Sequence, residues 1–341
     1  MALKCILASM DGMTTAAFRS ICFEYGADGA ATEMIPAIGY ARAKKKSKPI
    51  MDALVLRRPE EQGELAAQII GNKPALMVQA AQKLEALNRF DRIEINMGCP
   101  ARTVVSSGNG SAILNNLPLA EEILRGVCGA VSLPVRLKLR LGWDDEHIAA
   151  PEVCRIAEDA GCESIILHGR TRQQLYSGEV NLEEMRRVVQ AVSLPVYANG
   201  AVVQPKDAAR FQEETGAAGV CIGRAALKSP WIFEDIRLLE RGEAIPERNA
   251  GERVGMLLRF AERLCEQKAE FFAVQELRKF CLWYLAGLTG ADEAFERVKY
   301  VDSLDGFRAV HEDFLNGLIR RNDLHIHPEL LPGETLDTVK R

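Results

Sequence analysis

The sequence Val-Ser-Leu-Pro-Val occurs twice in the chain, at residues 131–135 and again at residues 192–196. In both places it follows an amphipathic segment and begins an apolar run, so a helix ends and a strand starts around the proline. Two units built alike in this way are typical of repeated βα units with a parallel sheet. These five residues therefore point to the fold class.

Short apolar or β-branched runs continue the same strand pattern on both sides of this repeat. They lie at residues 5–9, 29–34, 65–70, 92–96, 134–140, 164–168, 195–198 and 218–222. Helical patterns lie between them, most clearly at residues 117–131, 149–161, 182–192 and 205–215. Because eight βα units close a barrel, we predict an α/β fold of the (β/α)8 TIM barrel type.

The pattern changes after about residue 240, where strands disappear and the sequence predicts helices such as 250–268 and 274–285. We therefore expect three parts, which are a catalytic barrel over residues 1–240, a smaller all-helical domain over residues 241–321, and a loosely ordered tail over residues 322–341.

Composition is that of an ordinary globular protein, with 341 residues of which 48% are hydrophobic and 26% charged. No apolar run approaches the roughly 18 residues that span a membrane, and the first residues show no signal-peptide pattern. The nine cysteines are odd in number and form no CxxC pairs, which argues against a disulfide framework and against structural zinc. We expect a cytoplasmic, metal-free monomer without a membrane partner.

The net charge of -4 argues against indiscriminate binding of nucleic acid. Charge can be local, however, and the densest positive run lies at residues 42–48, with Lys44, Lys45 and Lys46 at its centre. This run is either a solvated loop or a contact for RNA phosphates.

A candidate reactive group follows the fourth predicted strand, where residues 96–100 read Asn-Met-Gly-Cys-Pro. A cysteine between glycine and proline lies on a rigid turn rather than in a core. Its thiol, with an ordinary pKa of about 8.5, can donate a proton at neutral pH or, once ionised, act as a nucleophile. No histidine adjoins Cys99 in the sequence to form a Cys-His pair.

Other polar residues also lie at or just past the ends of predicted strands, where barrels of this type carry their chemistry. They are Gln68, Asn96, Lys138, His168, Asn199 and Arg224. Asn199-Gly200 and Gly223-Arg224 follow the seventh and eighth strands, which indicates a phosphate site built from backbone N–H groups and a cation. The alternative is two ordinary βα turns.

Several of these segments together resemble the tRNA-dihydrouridine synthase family in order and spacing. They lie at residues 8–14, 68–71, 96–110, 136–143, 168–172, 198–200 and 222–225. The resemblance implies FMN-dependent reduction of specific uridines in tRNA to 5,6-dihydrouridine with NAD(P)H, NADPH being the expected reductant. It also implies that hydride reaches C6 of the base while Cys99 gives a proton to C5.

Site residues follow from the same resemblance, with Cys99 as the catalytic residue. The implied FMN contacts are Ser9, Met10, Asp11, Gln68, Lys138, His168, Asn199, Gly200, Ala201, Gly223 and Arg224. The expected RNA contacts are Asn96, Arg102, Arg170, Arg172, Tyr176, Arg278 and Lys279. The last two residues precede Trp283-Tyr284, and the helix that holds them equally fits an amphipathic helix with buried aromatic rings.

Two of these residues have competing interpretations. Lys138 points into the barrel if Leu137 and Leu139 point out, and its partner is then reduced flavin, a Schiff-base substrate or a strand carboxylate. His168 is a structural residue or part of a cationic rim with Arg170 and Arg172.

The chain departs from the family pattern at three positions, where Ser9, Arg102 and Ala201 replace the usual Pro, Lys and Asp. Two other functions stay open from the residues alone. One is an FMN barrel oxidoreductase for a small molecule of the dihydropyrimidine or dihydroorotate type, and the other is a non-catalytic RNA-binding protein.

Overall fold

The computed structural model describes residues 3–43, 52, 54–200, 202–327 and 330. These residues divide into two compact units. The first comprises the described residues up to Ala226 together with Pro230–Glu243, and the second comprises Leu227–Ser229 and the described residues from Ala244 onward.

The first unit contains a closed parallel barrel. Its strands are β1 (Lys4–Leu7), β2 (Gly29–Ala31), β3 (Ile35–Pro36), β4 (Glu64–Ile70), β5 (Arg92–Met97), β6 (Val135–Arg140), β7 (Ser164–His168), β8 (Val196–Asn199) and β9 (Gly219–Ile222). The sheet order is β2-β1-β9-β8-β7-β6-β5-β4-β3, and pairing of β2 with β4 closes a ring of eight strands. The predicted TIM barrel is confirmed.

One strand prediction needs correction, because residues 29–34 do not form a single strand. The short strand β3 pairs only with the end of β4, through Ile35 and Pro36. Thr32 donates its hydroxyl hydrogen to the carbonyl of Glu33 and accepts from the backbone N–H of Gln68, so the ladder is interrupted there.

Helices alternate with the strands around the barrel. They are α1 (Ala16–Glu24), α2 (Ala37–Ala41), α3 (Pro74–Glu85), α4 (Arg102–Val105), α5 (Leu117–Cys128), α6 (Ala150–Asp159), α7 (Leu182–Ala191), α8 (Pro205–Thr215), α9 (Arg224–Lys228) and α10 (Ile232–Glu240), with a 3-10 helix at Gly110–Asn115. The α5 helix buries Ala120, Ile123, Leu124 and Val127, the spacing of an apolar face packed on a sheet.

The second unit is built from helices in its described part. They are α11 (Ala250–Gln267), α12 (Glu270–Tyr284), α13 (Ala291–Val298) and α14 (Leu304–Arg321). The α12 helix begins four residues before the predicted start at residue 274. Phe271 and Phe272 in its first turn are exposed, so the buried apolar periodicity starts only at Ala273 and hides the true beginning.

The interior of the barrel has an apolar part and a charged floor. Ile6, Ala8, Ile166, Tyr197 and Cys221 form a buried cluster. On the floor, the carboxylate of Glu64 pairs with three cations, which are Lys4 at 2.9 Å, Arg92 at 2.7 Å and Arg136 at 2.7 Å. Burial opposes ionisation of this carboxyl, but the three cations, Arg136 foremost, lower the pKa of Glu64 below its ordinary value.

Candidate active site

Strand register brings the polar residues at the strand ends together. Asn96 is paired with Lys138 between β5 and β6, Arg140 with His168 between β6 and β7, and His168 with Asn199 between β7 and β8. Because the strands are parallel, these side chains form one arc at the carboxyl end of the barrel. This arc is the candidate active site.

Cys99 lies on a turn that the Asn96 side chain stabilises. Asn96 Oδ1 accepts hydrogen bonds from the backbone N–H groups of Gly98 at 3.0 Å and Cys99 at 2.9 Å, as in an Asx turn. The Cys99 carbonyl accepts from the backbone N–H and the hydroxyl of Ser111. Gly110 has a φ of +59°, and a Cβ there would lie 2.6 Å from the Cys99 carbonyl oxygen. The backbone of Cys99 is therefore fixed on both sides.

The environment of the Cys99 thiol favours its protonated form. Burial raises the pKa of Cys99 above its ordinary value, and the Asp11 carboxylate acts in the same direction. The backbone N–H of Ala101 and the cations Arg140 and Lys138 oppose this rise without cancelling it. Of the two roles open from the sequence, the thiol is thus suited to proton donation rather than to nucleophilic attack.

Lys138 points into the barrel, as its alternation with Leu137 and Leu139 indicates. Its Nζ donates to Asn199 Oδ1 at 3.1 Å, and Asn199 Nδ2 donates to the Cys221 carbonyl at 2.6 Å. Burial lowers the pKa of Lys138. Within the described residues Lys138 has no carboxylate at ion-pair distance, so the barrel-floor ion pair considered for it is wrong.

His168 is buried among cations and therefore neutral at neutral pH. Burial lowers the pKa of His168 well below its ordinary value, and Arg140, Lys138, Arg170 and Arg224 add to the effect. His168 Nε2 lies 3.3 Å from Arg170 Nη1, where a neutral imidazole nitrogen can accept.

Arg170, expected in a cationic rim, is buried, and its guanidinium bonds within the protein. Its Nε and Nη2 donate to the Gly178 carbonyl at 3.0 and 2.9 Å, and Nη1 donates to the Gly200 carbonyl at 2.6 Å. Arg170 thus ties the segment after β7 to the segment after β8. Its contact with RNA stays a prediction.

Tyr176 and Arg172 lie nearer the surface. The Tyr176 ring is half exposed, and its centroid lies 5.2 Å from the Arg140 guanidinium and 5.1 Å from the Arg224 guanidinium. Arg172 stacks on the Trp143 ring at 4.7 Å. An exposed aromatic ring with cations nearby gives a surface that suits a base and its phosphate.

Arg140 is the main site residue that sequence reasoning missed. Its buried Nε donates to the Gly98 carbonyl at 3.0 Å, and Nη1 donates to the carbonyls of Thr171 at 2.9 Å and Leu175 at 2.6 Å. Burial lowers the pKa of Arg140 to about 10, so it stays charged at neutral pH. The signal was available, because side chains two residues apart on a strand share a face and Lys138 was expected inside.

The first loop of the barrel carries three of the predicted cofactor contacts. Ser9 Oγ is buried and has no hydrogen-bond partner among residues that the structure describes. The Met10 backbone N–H donates to Thr14 Oγ1 at 3.0 Å, which fixes the turn. Asp11 as a whole residue is exposed, but its carboxyl group is partly buried, and this burial raises the pKa of Asp11.

Two glycines follow the last two strands, and only the first of them has a close neighbour. Gly200 has a φ of +137°, and a Cβ there would lie 2.7 Å from Val180 Cγ1 and 3.1 Å from the His168 ring. At Gly223 the Cβ would meet Met10 Sδ at 3.6 Å, an ordinary contact. Ala201, between them in the predicted set, lies outside the described residues.

The remaining predicted RNA contacts are Arg102 in the first unit and Arg278 and Lys279 in the second. Arg102 is exposed at the start of α4. In the second unit, Arg278 Nη2 donates to the Val301 carbonyl at 2.9 Å and Lys279 Nζ lies 5.3 Å from the Phe280 ring. Of the basic run at residues 42–48, the lysines lie outside the described residues.

No helix in the described ranges has both the length and the apolar character needed to cross a bilayer. In the same part of the chain, no group of three or more His, Cys, Asp or Glu side chains is arranged to hold a metal ion. Six of the nine cysteines are buried, where a free thiol packs as a small apolar side chain.

Comparison with known proteins gives consistent results. The family described as "Dihydrouridine synthase" matches residues 6–315. A protein named tRNA-dihydrouridine synthase B from Pseudomonas aeruginosa is 38% identical over 304 residues, which cover 88% of this chain and 90% of the relative. Proteins of the same name are 38% identical in Vibrio vulnificus (88% of this chain, 92% of the relative) and 35% identical in Salmonella typhimurium (91% and 97%). With its barrel, its cysteine turn and these matches together, the chain belongs to the dihydrouridine synthase family of enzymes.

Proposed function

We propose that this enzyme reduces specific uridines in tRNA to 5,6-dihydrouridine, with FMN as cofactor, NADPH as reductant and Cys99 as proton donor. Family membership and the names of the relatives support the reaction and its tRNA substrate. The observation that carries the proposal furthest is the Cys99 thiol, which is held on a fixed turn at the carboxyl end of the barrel with a raised pKa.

The residues of the arc fit a bound flavin. Lys138 is a cation whose hydrogen-bond partner is a neutral amide, and Ser9 Oγ is a buried hydroxyl that lacks a partner within the described residues. Gln68 and Asn199 would add amide contacts. Arg224, with the Gly223 backbone, would bind the phosphate. When bound, FMN supplies the hydride.

Cys99 would deliver the proton that the reduction requires. Reduction of the uracil 5,6 double bond adds hydride at C6 and a proton at C5, and the neutral thiol holds that proton at physiological pH. The thiolate left after transfer lies in the field of Arg140 and Lys138, which both lower its pKa. These cations therefore favour proton release at the moment of transfer.

The substrate base must leave its stack to reach the barrel, which costs a few kcal/mol. The half-exposed Tyr176 ring offers a stacking surface beside Arg224, and Arg102 and Arg172 lie outside it as phosphate contacts. We further propose that the helical unit binds the rest of the tRNA, with Lys279 as one contact, and that the enzyme acts as a monomer in the cytoplasm.

The decisive experiment incubates the purified protein with NADPH and unmodified tRNA transcripts, followed by mass spectrometry of the nucleosides. We expect a yellow protein and a nucleoside two hydrogens heavier than uridine. Reduction of free pyrimidines without tRNA would instead support the small-molecule oxidoreductase. Binding of tRNA by a protein without flavin or product would support the non-catalytic alternative. Mapping dihydrouridine in RNA from a strain that lacks the gene identifies the position.

A further inference from the structure

A continuous line of hydrogen bonds joins the barrel floor to the backbone of Cys99. Arg136 Nε donates to Glu94 Oε2 at 2.6 Å, and Gln68 Nε2 donates to Glu94 Oε1 at 2.5 Å. Asn96 Nδ2 donates to Gln68 Oε1 at 2.8 Å, and the Cys99 N–H donates to Asn96 Oδ1 at 2.9 Å. The line crosses from β6 to β5 to β4 and back to β5.

The chemistry of its two ends fixes the direction of every bond in this line. A guanidinium only donates and a carboxylate only accepts, so the Gln68 amide must turn its NH2 group toward Glu94. Its oxygen then faces Asn96, whose NH2 group must face Gln68 and whose oxygen must face Cys99. Any other orientation of either amide places two donors or two acceptors in contact.

Because these residues are buried, the donor and acceptor orientation of each amide is fixed. Gln68, Glu94 and Arg136 are each 0% exposed and Asn96 is 7% exposed, so water cannot easily replace a lost partner. Arg136 also donates to Glu64 on the floor, which holds it in place independently of Glu94.

We propose that Glu94 is a positioning residue for the reaction, which acts through Gln68 and Asn96 to set the turn that carries Cys99. Glu94 does this because it can only accept hydrogen bonds, and its acceptor character is passed along the line to Asn96 Oδ1. As a statement about catalysis, this inference rests on the proposed function. As a statement about the turn, it rests on the hydrogen bonds alone.

The isosteric substitution Glu94→Gln should disrupt the turn that carries Cys99. Because Arg136 only donates, the new amide must turn its oxygen toward Arg136 and its NH2 group toward Gln68. The Gln68 amide then reverses, the Asn96 amide reverses in turn, and the Asn96 NH2 group meets the N–H groups of Gly98 and Cys99. One replaced atom thus destroys a turn two links away.

The double variant Glu94→Gln with Arg136→Met should restore the turn at Cys99. Without the guanidinium, the new amide is free to turn its oxygen toward Gln68, which restores the original direction of the line. Glu64 keeps Lys4 and Arg92 as partners, so the floor retains a paired carboxylate. A purely structural role for Glu94 predicts the opposite, because the double variant has lost more interactions than the single one.

The test measures amide hydrogen exchange of a peptide that covers Gly98 and Cys99 in the flavin-loaded protein, together with kcat for dihydrouridine formation. We expect Glu94→Gln to speed exchange at these two amides by about tenfold or more and to lower kcat by a similar factor. The double variant should return exchange to within about threefold of the parent. The matched control Glu64→Gln also removes a carboxylate from Arg136 but not from the line, and it should leave both readouts near parental values.

Gln68→Met provides a second variant if Glu94→Gln fails to fold, because it removes the middle link with little change in shape and should also speed exchange at Cys99. Parental exchange at Cys99 in either Glu94→Gln or Gln68→Met would overturn the proposal, as would a double variant no better than Glu94→Gln. Hydrogen exchange needs no tRNA turnover. If the parent protein has no activity, the proposed function is contradicted. The exchange data would still test the line of hydrogen bonds from Arg136 to Cys99.

Discussion

Lys138 on β6 donates a hydrogen bond to Asn199 on β8, 3.1 Å away and with β7 between the two strands. The partner is a neutral amide, so the positive charge remains available to an anion at this end of the barrel. The pairing also shows why Lys138 lies in the site rather than on the floor, where Arg136 takes the carboxylates.

We expect Lys138→Met to slow flavin reduction by NADPH by about tenfold or more, or to weaken flavin binding, because the anionic edge of the reduced cofactor loses its cation. Titration of the flavin-free protein with FMN, together with the rate of flavin reduction by NADPH, measures the effect. Lys206→Met, which removes an exposed lysine from α8, is the control. Parental flavin content with a parental reduction rate would rule the assignment out.

Cys99→Ala should retain flavin and oxidise NADPH at the normal rate but lose at least about a hundredfold in dihydrouridine formation, since only the second half-reaction needs the acid. Mass spectrometry of tRNA nucleosides gives the second rate. Cys265→Ala removes a half-buried thiol from the second unit and should change neither step. Equal product from the Cys99 variant and the parent would contradict the proton-donor role.

The pH dependence of uridine reduction follows from the direction of the Cys99 pKa. Burial raises the pKa of this thiol above its ordinary value, and the proposed proton donor is the protonated form, so activity should be lost only as pH rises through that raised pKa. In single turnovers of the reduced enzyme, the rate should stay level from about pH 7 to about pH 8.5, the ordinary pKa of a thiol, and fall only at higher pH. A rate that climbs across this interval would mean that the thiolate is the active form.

Gly200→Ala should reduce the free energy of unfolding by about 2 kcal/mol, because the φ of +137° strains a side chain and its Cβ would press on Val180 and His168. Urea denaturation measures the loss. Gly216→Ala is the matched control, since its φ of +75° brings strain while the nearest atom lies 3.6 Å away, and about 1 kcal/mol is expected. Equal losses in both variants would show that the close approach to His168 is unimportant.

Much of the barrel could be predicted because local sequence patterns mark its strands. The runs near residues 135 and 196 begin after proline and end at polar residues, and the structure places β6 and β8 within about one residue of them. The arc of Lys138, His168 and Asn199 followed from strand ends alone. This inference holds in a parallel barrel because the carboxyl ends of all its strands lie at the same end of the barrel.

The line from Arg136 to Cys99 could not be predicted in the same way. Glu94 and Arg136 look like ordinary charged residues on apolar strands, and their pairing depends on register between neighbouring strands, which local pattern does not give. The contacts of Arg170 are a related case, because the carbonyls of Gly178 and Gly200 lie 8 and 30 residues further along the chain.

Arg140 has a consequence for motion. One planar guanidinium bridges the Gly98 carbonyl on the cysteine turn and the carbonyls of Thr171 and Leu175, directly before Tyr176. Because one guanidinium bonds both loops, disorder in one loop would also cost the other loop part of its support. A nucleotide bound at the Tyr176 ring would therefore also order the turn that carries Cys99. Binding of the substrate would in this way position the group that protonates it.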